Sequence, residues 1–341
     1  MKQRVVGPVR LRNLREWVPD LGSLLGVALL CANVGCAPAA SGAGSSAGVA
    51  GGGAAGGGAA GGGAAGKVLR GLKFAQVDDT PLLLDLYLPA PQPAGEDVKP
   101  AGVIIWVHGG AWRSGSRESA DLAALTARGW ALASVDYRLS PVARFPAQVH
   151  DIKAAIRHLR AHAAEHGLPA SPFVIAGSSA GAHLAALVGV SNGVSELEGE
   201  VGSDRAASSD VQGIVSLYGA SNLTSILAQS TEQGLSVRVP ALELLLGGQP
   251  DQRPELARLA SPVFHVDASD PPLLLLHGDS DPQMPIAQSV ELAAAYEQLR
   301  LPAQLVVLEG AGHGGAVFTD PTRLELIDGF LRARLLPAVK H

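Results

Sequence analysis

Cysteine is nearly missing from this chain of 341 residues, and the two present, Cys31 and Cys36, stand close to the N-terminus. From Lys67 onward there is no thiol and no disulfide, so an oxidising compartment neither helps nor harms that region. A basic excess is missing as well. With residues 1–36 set aside, 21 Lys and Arg face 29 Asp and Glu, which excludes the positive face that a nucleic-acid partner requires. The apolar run Leu21 to Cys31 is too short for a bilayer span of about 20 residues. What is plentiful is apolar side chain, 47% of the chain against 17% charged, enough for a substantial core.

Low-complexity sequence fills residues 37–66, where Gly51 to Ala65 reads as three copies of Gly-Gly-Gly-Ala-Ala. Side chains this small bury too little area to offset the entropy of ordering a backbone, which predicts a flexible tether. Before it, Lys2, Arg4, Arg10, Arg12 and Arg15 precede the apolar run, and Gly35-Cys36-Ala37 supplies small residues after it. That pattern describes an export signal over residues 1–36. Val34-Gly35-Cys36 resembles the end of a bacterial lipobox, which implies lipidation at Cys36 and a membrane-anchored lipoprotein of a bacterial envelope. Asn33 departs from the lipobox, so a periplasmic or secreted soluble protein is the second reading and an uncleaved anchor the third. Residues 67–341 then have the size of a single α/β domain with a small insertion.

Along that region short apolar runs alternate with helix-length stretches. Leu82 to Leu88, Gly102 to Val107, Ala131 to Val135, Phe173 to Ala176, Gly213 to Leu217, Leu273 to Leu276 and Gln304 to Leu308 read as strands. Glu118 to Arg128, Ala147 to His166, Ala180 to Val190, Ile286 to Arg300 and Pro321 to Leu335 read as helices. The alternation predicts a mostly parallel central sheet flanked by helices on both faces, with reactive groups at the C-terminal ends of the strands. Two segments interrupt it. Residues 191–210 are polar and acidic, as a surface loop is, while residues 222–265 hold a helical patch, Ala241 to Leu246, within irregular sequence. The second segment reads as a cap over the site.

Gly177-Ser178-Ser179-Ala180-Gly181 follows a strand and opens a helix. In G-x-S-x-G a sharp strand-to-helix turn pushes the middle serine outward, and glycines are needed where the backbone is strained and closely packed. The same pentapeptide recurs at Gly44 to Gly48 within the tether, so the context and not the motif carries the evidence. A serine hydroxyl becomes a useful nucleophile when a base takes its proton and a carboxylate holds that base. Asp279 and Asp281 follow the strand ending at Leu276, and His313 follows the strand ending at Leu308, with Gly312 and Gly314 beside it. Ser179, an aspartate and His313 thus occur in the chain order that α/β-hydrolases use. The amide of Ala180, directly after the nucleophile, is an oxyanion donor by position.

With His108-Gly109-Gly110-Ala111-Trp112, Asp136-Tyr137-Arg138-Leu139-Ser140-Pro141, Phe145-Pro146-Ala147, Asp151 and His277 to Pro285 added, the chain resembles the His-Gly-Gly esterase/lipase group of the α/β-hydrolase fold. Within that group it is most similar to bifunctional feruloyl/acetyl-xylan esterases, the BD-FAE type. The matching residues cover nearly all of Val103 to Gly315. The resemblance implies Asp281 as the triad acid, from its spacing to His277, with Asp279 as a turn former. It implies Gly110 and Ala111 as further oxyanion donors and His108 as a brace for their loop; Trp112 either contacts substrate or covers the loop, and Tyr137 belongs to a segment that braces the loops near the site, with lining the site as its second reading. The implied activity is hydrolysis of short-chain or aryl carboxylic esters, small or polysaccharide-linked, with no metal and no organic cofactor. An arylformamidase, whose family shares His-Gly-Gly-x-Trp, or another amide hydrolase is an alternative, and a catalytically silent cell-surface binding module is a third. Peptidases of the prolyl-oligopeptidase type carry an N-terminal propeller where this chain has a tether.

His158, His162 and His166 recur every four residues, which is ligand-like spacing. No carboxylate cluster is evident nearby in sequence and Glu165 falls off that face, so the histidines read as a solvated helix surface. His183, one helical turn beyond Ser179, reads as packed beneath the site.

Overall fold

The computed structural model describes residues 3–6, 66–90 and 99–336. Cys36, and the export signal and tether apart from Gln3–Val6 and Gly66, lie outside the described residues. The strands are β1 Gln3–Val6, β2 Val68–Val77, β3 Thr80–Tyr87, β4 Val103–Val107, β5 Ala131–Val135, β6 Phe173–Ser178, β7 Gly213–Leu217, β8 Leu273–Gly278 and β9 Ala303–Leu308. They form one sheet in the order β1-β9-β8-β7-β6-β4-β5-β3-β2. β4 through β9 are mutually parallel, whereas β1, β2 and β3 join antiparallel at the two edges. The leader reading assigns no element to Gln3–Val6, which here pairs with β9.

Strands buried on both faces need apolar residues at every position, because alternate side chains enter different layers. β4 shows this directly: Val103, Ile105 and Val107 belong to one core, while Ile104 and Trp106 belong to the other. Over the first core lie α1 Ala147–Ala161, α2 Ala180–Gly189 and, beyond the four-residue α3 Ser195–Glu198 and the cap helices, α7 Ile286–Gln298. The cap helices are α4 Ile226–Gln229, α5 Glu232–Leu246 and α6 Pro254–Leu259. The second core is closed by α8 Pro321–Leu335, through Ile327 and Leu331, and by Leu122, Leu125 and Trp130. The Trp130 indole N–H donates to Asp328 of α8 at 2.7 Å. Among the described residues no helix is long and apolar enough to cross a membrane.

Three expectations change. The helix read over Glu118 to Arg128 is instead a series of turns ending in a 3-10 helix, Ala123–Arg128, closed by Gly129 at φ 88°. Its buried residue is Leu125, too narrow an apolar face to hold a full α-helix on the sheet. The helix begun at Ala147 stops at Ala161, and His162 caps it. β2 is a strand that the periodicity did not reveal: register shifts beside Gly71 and Lys73 break its alternation, and much of it is exposed. A bulge of this kind moves side chains from one face to the other and erases the period-2 signal. Residues 191–210 do form a surface segment, but it folds back on α1, where Glu198 pairs with the buried Lys153 and Arg157 at 2.8 and 2.6 Å.

Candidate active site

β6 ends at Ser178 and α2 begins at Ala180, leaving Ser179 alone in the turn at φ 53°, ψ −118°. A serine in this region is strained by on the order of 1–3 kcal/mol and is held there by its surroundings. The Ser179 amide donates to the Leu217 carbonyl at 2.9 Å, anchoring the turn to β7. Both flanking glycines are required by space. A Cβ on Gly177 would stand 2.5 Å from the backbone of Gly181, and one on Gly181 would stand 2.1 Å from the carbonyl oxygen of Val107.

The Ser179 hydroxyl faces the Nε2 of His313 at 2.9 Å, and the Nδ1–H of His313 donates to Asp281 Oδ2 at 2.7 Å. Asp281 is fully buried on its side chain, and its Oδ1 accepts the amides of Gln283 and Met284, each at 2.8 Å. Burial alone would push this carboxyl up. His277 at 3.6 Å, the hydrogen bond from His313, the charge of His313 and the Met284 amide together hold it well below the usual carboxylate range. A carboxylate that stays ionised keeps the imidazole in the tautomer whose Nε2 accepts from serine. Asp279 has a different employment: its Oδ1 accepts the Gly310 amide at 2.7 Å.

On the other side of Ser179, Gly110, Ala111 and Trp112 follow one another at φ 110°, 51° and 59°. Three successive left-handed residues turn the chain sharply, and among the described residues the amides of Gly110, Ala111 and Ala180 donate to no acceptor in the protein. Free amides beside a nucleophile, one of them at a helix N-terminus, are what an oxyanion needs. His108 is buried and directs Nδ1 at the Gly109 carbonyl at 2.8 Å; burial pushes its pKa down. Its ring stacks on Tyr137, whose hydroxyl donates to the His108 carbonyl at 3.1 Å.

Tyr137 is therefore packed behind the loop, outside the lining of the cavity. Trp112 borders the cavity, but its indole is buried and donates to His183 Nδ1 at 3.1 Å, while His183 Nε2–H donates to the Ala260 carbonyl at 2.6 Å. The tryptophan thus fastens the loop to α2 and, through His183, to the end of the cap.

The cavity that holds Ser179 and His313 has a volume of about 490 Å³ and takes Val237 and Arg238 of α5 and Met284 into its wall. Residues without motif signals enter here. Tyr218, at φ 45°, sets its ring against His313 with centroids 4.9 Å apart, and burial pushes its phenol up to about 12. Arg238 donates to the Gln283 carbonyl while its buried Nε has no partner. Burial lowers its pKa to about 10, opposed by the charge of Asp281.

Away from this cavity, a depression of about 800 Å³ runs past His158 and His162. The reading that no carboxylate joins these histidines is corrected. Asp204 reaches back from 46 residues along the chain to His158 at 3.0 Å, and Glu165 bonds His162 at 2.9 Å. His166 stands apart from that group because α1 has already ended.

The BD-FAE family profile matches residues 84–296, and a profile described as TAP-like protein matches residues 255–340. Esterase LipC of Mycobacterium tuberculosis is 36% identical over 247 residues, covering 70% of this chain and 58% of its own length; the chain thus spans less than two thirds of this curated relative. Among solved structures, a truncated carbohydrate esterase from gut microbiota superposes with a TM-score of 0.71 at 29% identity, over 79% of this chain and 96% of the other. Esterase 2 of Thermogutta terrifontis gives 0.64 at 28% identity, over 81% and 96%.

Proposed function

Because the chain belongs to the BD-FAE family, with an α/β-hydrolase fold, we propose that it is a serine carboxylic-ester hydrolase acting on short acyl esters of small alcohols, phenols or carbohydrates. The observation that carries this reading is the continuous line from Ser179 through His313 to Asp281, at 2.9 and 2.7 Å. His313 Nε2 takes the hydroxyl proton as Ser179 Oγ bonds to the ester carbonyl carbon, and Asp281 stabilises the imidazolium that results. The oxyanion is held by the amides of Gly110, Ala111 and Ala180. The tetrahedral species collapses with loss of the alkoxide, which leaves as the alcohol with the proton from His313. Water, deprotonated by the same imidazole, then attacks the acyl-enzyme and releases the acid and Ser179. The steps use no metal or organic cofactor.

Carbohydrate and small-molecule esters are favoured by the likeness to a carbohydrate esterase and to esterase 2, and the modest cavity favours short acyl groups. Residues 222–265 act in this reading as a cap, since α5 contributes Val237 and Arg238 to the cavity wall. Residues 1–36 are proposed as an export signal with Cys36 lipidated, and residues 37–66 as the tether that lets the domain stand off a membrane.

Hydrolysis of p-nitrophenyl acetate, butyrate and decanoate, with acetylated xylan and N-formylkynurenine alongside, tests the proposal in the full chain and in Ser179→Ala. Turnover of the short esters that disappears in the variant supports it. A folded wild type that releases no more from any ester than the variant overturns it, and turnover confined to N-formylkynurenine replaces it with amide chemistry.

A further inference from the structure

We infer that His158, His162 and Asp204 form a binding site for a divalent transition-metal ion, Zn²⁺ in the first instance, that clamps the end of α1 to the loop following α3. One donor atom from each of the three side chains lies within 4.8 Å of the others. The two carboxylate oxygens face different rings: Oδ2 is 3.0 Å from His158 Nδ1, and Oδ1 is 3.4 Å from His162 Nε2. Ligand atoms on a tetrahedral zinc with bonds of about 2.0–2.1 Å are separated by roughly 3.3 Å. With all three donors within 4.8 Å of one another, side-chain rotations that bring one Asp204 oxygen toward both rings would gather them around an ion.

A second feature points the same way. Metal-bound histidines typically donate their other ring nitrogen to a carboxylate, which fixes the tautomer and makes the free nitrogen a better ligand. His162 Nδ1 does this to Glu165 Oε1 at 2.9 Å and leaves Nε2 for the cluster. The rings of His158 and His162, one helical turn apart, lie with centroids 4.5 Å apart. The loop that supplies Asp204 is pinned by Arg157, which donates to the Val201 carbonyl at 3.1 Å. Three protein donors leave one coordination position, directed by default to solvent, and the depression beside the histidines gives water or a small ligand access to it.

Imidazole with carboxylate selects zinc and its neighbours over calcium and magnesium, which take oxygen ligands. The site shares no residue with the catalytic cavity, so its effect is on stability: it joins positions 158 and 162 to position 204 across a long stretch of chain and is absent from the unfolded state.

The test is calorimetric titration of tag-free full-length protein with ZnCl₂, after Cys31 and Cys36 have been blocked with N-ethylmaleimide, together with thermal unfolding. Saturable uptake of about one equivalent is expected, with an unfolding midpoint raised by about 5 °C at hundredfold excess over the dissociation constant and no shift with Mg²⁺ or Ca²⁺. Asp204→Asn and His162→Gln should weaken uptake at least tenfold, Glu165→Gln less so, and His166→Gln should bind as the wild type does. A cooperative metal-free unfolding transition in each variant separates lost ligation from lost fold. Absence of saturable uptake by the wild type, or undiminished uptake in both Asp204→Asn and His162→Gln, overturns the assignment.

Discussion

The carboxylate of Asp279 accepts the amide hydrogen of Gly310 at 2.7 Å, so the loop carrying Asp281 is tied to the loop carrying His313. Asp279 is a positioning residue on this geometry. Asp279→Ala should lower kcat about tenfold with little change in KM, as expected when a catalytic pair is misaligned rather than removed. Asp279→Asn, which keeps an acceptor oxygen, should recover most of that loss. Asp281→Asn should cost about 10⁴-fold in kcat, because the imidazole then settles in the wrong tautomer. Equal losses in Asp279→Ala and Asp281→Asn would show that the two carboxylates share one role.

Gly181 tests how tightly the nucleophile turn is packed. A methyl group there meets the carbonyl oxygens of Val107 at 2.1 Å and His108 at 2.4 Å, both backbone atoms of the central sheet's edge of the site. Neither can swing aside as a side chain does. Gly181→Ala is expected to lose about 3 kcal/mol or more in denaturant unfolding, with esterase activity falling in parallel.

Ser179 sits in a strained backbone region. At φ 53° and ψ −118°, glycine is at ease where serine is not. Ser179→Gly should therefore abolish turnover and yet raise stability by about 1 kcal/mol, the relief of strain exceeding the greater chain entropy of an unfolded glycine. Comparison with Ser179→Ala, which has the same chemistry loss but keeps Cβ, isolates the backbone contribution; identical midpoints for the two variants would refute it.

Acid should act on the buried His183. Burial lowers its pKa from 6.5 to about 4, with the Ala260 carbonyl opposing the shift. Between those values the unfolded chain binds a proton that the folded protein refuses, so stability is fully present above pH 6.5 and declines as pH falls toward 4. The difference amounts to about 3 kcal/mol over that interval. His183→Gln, which offers Trp112 an acceptor and Ala260 a donor, should flatten this part of the stability curve while leaving the neutral-pH plateau within about 1 kcal/mol. A mutant curve parallel to the wild type's across the interval would assign the acid sensitivity elsewhere.

What could be read without coordinates was whatever local chemistry makes visible. The strand before Ser179 and the helix after it are buried on all sides, so apart from Ser178 and His183 their residues are apolar or small, and the glycines at 177 and 181 mark backbone contacts that admit no Cβ. The sheet's interior strands were legible for the same reason. β2 was hidden because bulges interrupt its alternation. Tyr218 and Arg238 were hidden because an isolated tyrosine or arginine has no spacing to betray it; each matters through what a distant segment places beside it. The histidines on α1 showed their helical spacing, but the carboxylate completing their cluster arrives from a loop 46 residues away.

The hydrogen bond between Ser179 and His313 bridges 134 residues of chain, and β9, which delivers the histidine, is the last strand among the described residues. A polypeptide growing from its N-terminus thus contains Ser179 long before it contains His313. A fragment ending between Gly278 and Gly312 contains the turn at Ser179, the loop from Gly110 to Trp112 and strands β1 to β8, yet lacks His313. On the proposed mechanism, ester turnover therefore reports completion of the chain and folding of its last strand and loop.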